Sequence, residues 1–270
     1  MHRSRPPLKL HNSPLLLVLA QVRISAVLQM QTFIPQIQER LRNAGYPRYS
    51  EAQIQEIVLG PAMAASPGTA MTKWTFADKD GTKAVVIAPE FVTFEVANYD
   101  TFDAFSQELG SILELVGEVA NVALAERVGL RYVDHIRASA GDRIEDYVVP
   151  GLAGIDLAPV DAQRSRSVFV VQATTPSGQC IVRFTRSAGA FALPADLQPA
   201  DVSIAPREGD GEYALLDVDH FSTQTREYRP GVLLDVFWQL HDVSEGIFRE
   251  AVTPHALRAW KMEELEGATS

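Results

Sequence analysis

Apolar residues recur in steps of 3, 4, 3, 4 and 3 through Phe102, Phe105, Leu109, Ile112, Val116 and Val119, with Asp100 or Thr101 in front as a cap. This is the spacing of one helical face. A helix with so continuous a stripe has to lie flat on a sheet. Immediately after it the period changes to two. Val128, Leu130, Tyr132 and Ile136 alternate with Arg127, Arg131, His135 and Arg137, so a strand over 126–138 presents one apolar and one basic face. Val133 interrupts the basic face and Asp134 the apolar one. A carboxylate at a core-facing position needs an explanation, because burying an unpaired charge is costly.

Around this pair the other elements follow from pattern and punctuation. Residues 1–9 read as a loose basic tail and 15–25 as a buried strand. The apolar run Leu15–Ala20 is too short to span a membrane, and no small-residue cleavage site follows it as in a secretory signal. Thr32 is placed to cap a helix carrying Phe33, Ile34, Ile37 and Leu41, stopped by Gly45 and Tyr46-Pro47. Residues 54–59 read as a short strand, and 60–70, rich in Ala, Pro, Gly and Ser, as a loop. Lys73–Phe76 and Lys83–Ile87 flank the turn Asp78-Lys-Asp-Gly81, and Phe91–Val96 adds a third strand.

Residues 139–166, with Gly141, Pro150, Gly151, Gly154 and Pro159, are irregular. Val168–Gln172 and Cys180–Phe184 then pair around Thr175-Pro-Ser-Gly178. Residues 187–212 form a loop of the length that commonly serves as a lid or stays disordered. Tyr213–Phe221 is a strand, and Leu233, Val236, Leu240, Val243 and Ile247 mark a long helix. Thr253-Pro254 opens a last helix to about residue 265.

This order predicts an α+β protein with open antiparallel sheets, each covered on one face by long amphipathic helices, in two similar halves. The halves are a βαβββαβ unit over 10–138 and a strand-hairpin plus helices over 167–270, joined by the connection 139–166.

Composition narrows the function. At 270 residues, 46% hydrophobic and 21% charged, the chain has the make-up of a globular protein. Its net charge of −10 counts against nucleic acid as a partner, since phosphate affinity comes from Lys and Arg. The charge is uneven: Arg3, Arg5, Lys9, Arg23, Arg40, Arg42 and Arg48 face only Glu39 within residues 1–48, which leaves −16 on the remainder. Cys180 stands alone, so no internal disulfide forms; a cytoplasmic protein with Cys180 in its core is expected. No membrane association is expected.

Two groupings carry chemistry. Alternate residues of a strand lie about 6.6 Å apart, so Arg127, Arg131 and His135, with Arg137 beyond them, would line a groove able to grip a phosphate, a carboxylate or a partner's acidic side chain. Arg183, or Arg186 on the other face of its strand, would join them. The competing expectation is a sheet face whose arginines pair with the surplus Asp and Glu. The second grouping is Asp217-Val-Asp-His220 with His241-Asp242. Asp217, Asp219 and His241 are lesser candidates for a divalent metal, although His220 points to the opposite face. Trp238, His241 and Glu245 share one helical flank. Phosphate-loop, dinucleotide, zinc-protease, paired-cysteine and hydrolase-elbow motifs are absent. No cofactor, metal or catalytic residue is assigned.

Asn12-Ser-Pro-Leu15 with Val22-Arg-Ile24, Trp74-x-Phe76, Phe91–Val96, Tyr99-x-x-Phe102-x-x-Phe105 and Arg127-Val-Gly-Leu-Arg-Tyr-Val133 recur in this order over most of the chain, as do the Leu-x-x-x-Asp-x-Asp strand and Leu240-His241 with Phe248. In this combination the chain resembles a sporadically distributed bacterial family of about 260 residues. Asp134 stands where that family usually has Asn. The resemblance implies no catalytic residues; patchy occurrence implies a place in mobile defence, toxin–antitoxin or biosynthetic gene clusters. The expectation that follows is a non-catalytic binding or accessory protein acting on a protein or peptide partner. A small-anion binder or enzyme built on the basic strand face is the alternative, and nucleic-acid binding the third.

Overall fold

The computed structural model describes residues 8–59, 65–155, 158–161, 166–197, 201–209 and 211–264. In chain order these form β1 (Leu8–Leu10), β2 (Leu15–Ile24), α1 (Met30–Asn43), β3 (Arg48–Leu59), β4 (Ala65–Ala77), β5 (Lys83–Ala88), β6 (Phe91–Val96), α2 (Phe102–Ala120) and β7 (Leu124–Ile136). Short helices α3 (Ile144–Tyr147) and α4 (Pro150–Ala153) follow. The rest is β8 (Arg166–Thr175), β9 (Gly178–Ala188), β10 (Glu212–Ser222), β11 (Arg226–Glu227), α5 (Pro230–Ala251), α6 (Pro254–Ala259) and β12 (Met262–Glu264).

One antiparallel sheet runs in the order β3-β4-β5-β6-β2-β7-β10-β9-β8, with β11 alongside β7. The α+β class is therefore as expected, but a separate sheet for each half is not: β2 pairs with β7 from Leu15↔Asp134 to Ile24↔Ala125 and joins the strands of both halves into one large sheet, with β1 and β12 forming a small pair of their own. Period-two alternation sorts the two faces. Val18, Ala20, Val22, Val128 and Leu130 pack with Ile34 and Ile37 of α1, Leu109 and Val116 of α2, and Leu233 and Leu240 of α5. Farther along the same face, Ile136, Phe184, Leu216 and Cys180 pack with Tyr147 and Trp260. Residues of opposite parity, Leu17, Val133, Tyr213 and Leu215, pack instead with Phe191, Leu197, Val202 and Ile204. Of the loop expected over 187–212, the described residues 189–197 and 201–209 thus form a strap across the sheet's other face, while 187–188 belong to β9 and 212 to β10.

Thr101 caps α2, its hydroxyl accepting the Ala104 N–H at 3.3 Å. In α1 the first residue is Met30; Thr32 sits inside the first turn and donates to the Gln29 carbonyl at 2.8 Å. The strand expected over 54–59 is present as the far part of a longer β3, whereas residues 65–70, expected as loop, belong to β4; Pro67 and Gly68 are tolerated there beside a register shift between Gln55 and Ile57. Residues 60–64 lie outside those described. The last helix stops at Ala259 because Lys261 adopts φ 54°, and β12 pairs back with β1, Leu8 opposite Glu264. The tail thus becomes a strand from Leu8, residues 1–7 being outside those described. Among the described residues no helix is long and apolar enough to cross a membrane.

The β8–β9 turn is held by Thr175, whose hydroxyl accepts the Gly178 N–H at 3.0 Å and meets His220 Nε2 at 2.8 Å. A Cβ on Gly178 would lie 2.1 Å from the Phe221 carbonyl oxygen, backbone that has no room to yield. Gly178→Ala is expected to destabilise the fold by about 3 kcal/mol in urea melts.

Candidate functional site

The odd positions of β7 do share one face, beneath the strap. Arg131 donates from Nε and Nη2 to the Asp217 carboxylate at 2.7 and 2.8 Å, and from Nη1 to Asp196 of the strap at 2.6 Å. Burial opposes its charge, but Asp217 and Asp196 outweigh this and raise its pKa. Arg183 of β9 adds a third contact, to Asp217 at 3.3 Å. Arg127 is held more loosely, 3.5 Å from Asp219 and 3.4 Å from the Gln21 side-chain oxygen, with its guanidinium over the Phe221 ring. Arg137 lies over the Tyr213 ring.

His135 is placed differently from an anion ligand. It is 0% exposed, its Nδ1 accepts the Arg207 backbone N–H at 3.1 Å, and Phe191 and Tyr213 pack on its ring. Burial, with Arg137 and Arg207 nearby, pulls its pKa down to about 4, so it is neutral at physiological pH. It anchors the strap. The strap's other anchors are Asp201, which accepts from Lys73 at 2.6 Å and Thr75 at 3.0 Å, and Arg207, which donates to the Ser13 carbonyl at 2.7 Å.

Between strap and sheet lies a cleft of about 600 Å³. Arg23, Lys73, Arg127 and Arg131 line it, and so do Glu95, Asp196, Asp201 and Asp219, so its charges are nearly balanced. Burial, followed by the neighbouring Asp201, pushes Glu95 up to about 7. Asp219 lines this cleft and Asp217 lies buried on the same face of the sheet beneath Arg131, whereas His241 is across the sheet on α5, stacked on Phe102 with ring centroids 4.0 Å apart. The three do not form a joint ligand set. Among the described residues no group of three or more His, Cys, Asp or Glu side chains could hold a metal ion. Arg186 turns to the helix side and binds Glu145 and Glu212 at 2.9 and 2.5 Å.

A second cavity, about 110 Å³, lies on the helix side at the seam between the two cores. Asp134 lines it with Ser13, Leu15, Tyr99, Asp100, Tyr132, His241, Ser244 and Glu245, among others. The Tyr132 hydroxyl meets His241 Nδ1 at 2.8 Å, and His241 Nε2 lies 3.5 Å from Glu245, which Arg249 binds at 2.8 Å. Burial works against the Glu245 charge, but His241 and Arg249 hold its pKa below the usual range. Asp134 is 4% exposed, and burial, aided by Asp217 across the sheet, pushes its carboxyl up to about 8. Two signals for this site were in the sequence, a carboxylate at a core-facing position and the helical flank that His241 and Glu245 share; that they would meet was not, since the lining comes from separate segments.

Comparison with protein-family models and with curated proteins returns no match to this chain.

Arg131→Ala would leave Asp217 buried with Arg183 as its remaining cation. A loss of about 3 kcal/mol is expected in denaturant melts, most of it recovered when Asp217 is also made Leu. Asp134 and Glu95 keep protons when folded at pH values where the unfolded chain, with ordinary values of 3.8 and 4.5, has released them. Their contribution to stability therefore falls as pH rises from about 5 to 8, by up to about 1.4 kcal/mol per unit per group. In chemical melts across this range, Asp134→Asn should gain on the parent protein as pH rises, with the gap constant above about pH 9.

Proposed function

We propose that the protein is a non-catalytic binding or accessory protein of the cytoplasm that takes an extended segment of a protein partner as an added strand on the free edge of β8. The observation that carries this is the exposure of four consecutive apolar residues in the terminal strand: Val168 54%, Phe169 43%, Val170 51% and Val171 39%. Among the described residues β8 pairs with β9 alone, so its outer backbone groups and both its faces stand open there, which is the template for strand addition. The opposite edge differs. On β3, Arg48, Ser50, Glu51 and Gln53 are exposed around Tyr49 and Ala52, a stretch interrupted by charged and polar residues, which discourage pairing.

We take the chain as two similar halves, 10–138 and 167–270, joined by the connection 139–166, each with strands and a long covering helix. On that view each half contributes one terminal strand, and the second half's is the one left unprotected. The family resemblance adds a setting in a mobile defence, toxin–antitoxin or biosynthetic cluster. One observation favours a second reading, a small anion in the strap cleft: Arg127 reaches its carboxylate only at 3.5 Å.

Peptides selected from a random display library against the protein are expected to bind as strands, protecting β8 amides from hydrogen exchange. Val170→Lys, a surface change that should alter stability by no more than about 0.5 kcal/mol, is expected to weaken them at least tenfold. Equal binding by Val170→Lys with unprotected β8 amides would refute strand addition. A dimer dispersed by the same substitution would assign the edge to a second copy. Thermal shifts with phosphates or carboxylates that vanish in Arg127→Ala would favour the anion reading instead.

A further inference from the structure

The cavity at Asp134 contains three carboxylates in unequal circumstances. Asp100 is at the rim, its side chain 65% exposed and bound by Lys9 at 2.7 Å. Glu245 is bound by Arg249 at 2.8 Å, with His241 also beside it. Asp134 is the innermost by exposure, at 4%, and among the described residues it has no hydrogen-bond or ion-pair partner, although it lines the open space. Buried polar groups in folded proteins are almost always paired. An unpaired carboxyl facing a cavity therefore points to what fills that cavity.

The remaining walls specify the ligand's chemistry. Tyr99, Tyr132 and the His241 ring supply aromatic surface, and Leu10, Leu15, Val218 and Phe248 supply apolar surface. The hydroxyls of Ser13, Tyr132 and Ser244 supply further oxygen atoms. Carboxylate, ring faces and hydroxyls together suit a cation with several N–H donors. The volume of about 110 Å³ admits only a few heavy atoms, and a metal ion has no three-ligand set here. We propose that this cavity binds a small primary ammonium ion, the charge resting on Asp134 and a short alkyl tail on Leu15, Val218 and Phe248.

Charge balance makes the binding pH-dependent. Asp134 faces Tyr132 on β7, His241 and Glu245 on α5, and Tyr99 and Asp100 before α2; Asp217 lies behind it through the sheet, and β2 contributes Leu15, which carries no charge. None of these is a cation free to pair with it: Lys9 and Arg249 are engaged by Asp100 and Glu245. The empty site therefore holds its proton at neutral pH. The amine arrives already protonated, the Asp134 O–H breaks, and one proton passes to solvent. No other bond changes.

Propylammonium chloride, titrated calorimetrically in two buffers of different ionisation enthalpy, tests this. Saturable binding is expected, with affinity rising up to about tenfold per pH unit between about pH 6 and 8 and levelling above. Close to one proton should be released per ligand at neutral pH. Asp134→Asn should weaken binding at least tenfold and abolish the proton release. Leu15→Phe, which fills the cavity and leaves the carboxyl in place, should block binding independently if Asp134→Asn does not fold. The proposal is overturned if propylammonium does not bind at millimolar concentration. Equal affinity for Asp134→Asn or for neutral 1-propanol overturns it as well. So does affinity that falls with rising pH, which would mean that protonated Asp134 donates to a neutral ligand.

Discussion

The structure depends on one constraint: β7 is covered on both faces. A strand with one face in water can carry arginines there at no cost, but beneath the strap every charge on β7 must find a partner or lose its ionisation. Arg131 found Asp217 and Asp196. His135 gave up its charge and became an acceptor for a backbone amide. Asp134, on the helix side, has no hydrogen-bond or ion-pair partner among the described residues and keeps its proton. Three ionisable residues within one strand thus meet the same desolvation in three ways, and each outcome is set by what the neighbouring segment offers.

Much of the local structure could be read from the chain. The stripe from Phe102 to Val119, the turn Asp78–Gly81 and the alternation in β7 each combine periodicity with turn or cap chemistry, and each is found where expected. Consistency between local signals is what makes such stretches legible. The tip of the β3–β4 hairpin was not legible, because Ser66-Pro-Gly68 has the composition of a loop and is carried into a strand by pairing with Ile57 and Val58. Nor could periodicity show that β2 and β7 would join into one sheet, since pairing of strands more than a hundred residues apart leaves no local trace.

The candidate sites were legible in proportion to how local they are. That Arg127, Arg131 and His135 share a face follows from parity alone. That Asp196, Asp201 and Arg207 would fold over that face does not, because the strap has neither helical nor strand period and is docked by a few scattered apolar side chains together with isolated ion pairs and hydrogen bonds. The Asp134 cavity is assembled from β1, β2, the approach to α2, β7, β10 and α5; the misplaced carboxylate and the flank shared by His241 and Glu245 showed in one dimension, their meeting did not.

The pairing of β1 with β12 ties residue 8 to residue 264, with a consequence for the order of events during synthesis. Leu8–Leu10 are among the first described residues to leave the ribosome, and their partner strand is among the last. Until then, the Lys9 that neutralises Asp100 at the rim of the Asp134 cavity is held by no strand pairing. Closure of that rim therefore waits for residues 262–264, and the cavity acquires its final electrostatics only after every element that lines it has emerged.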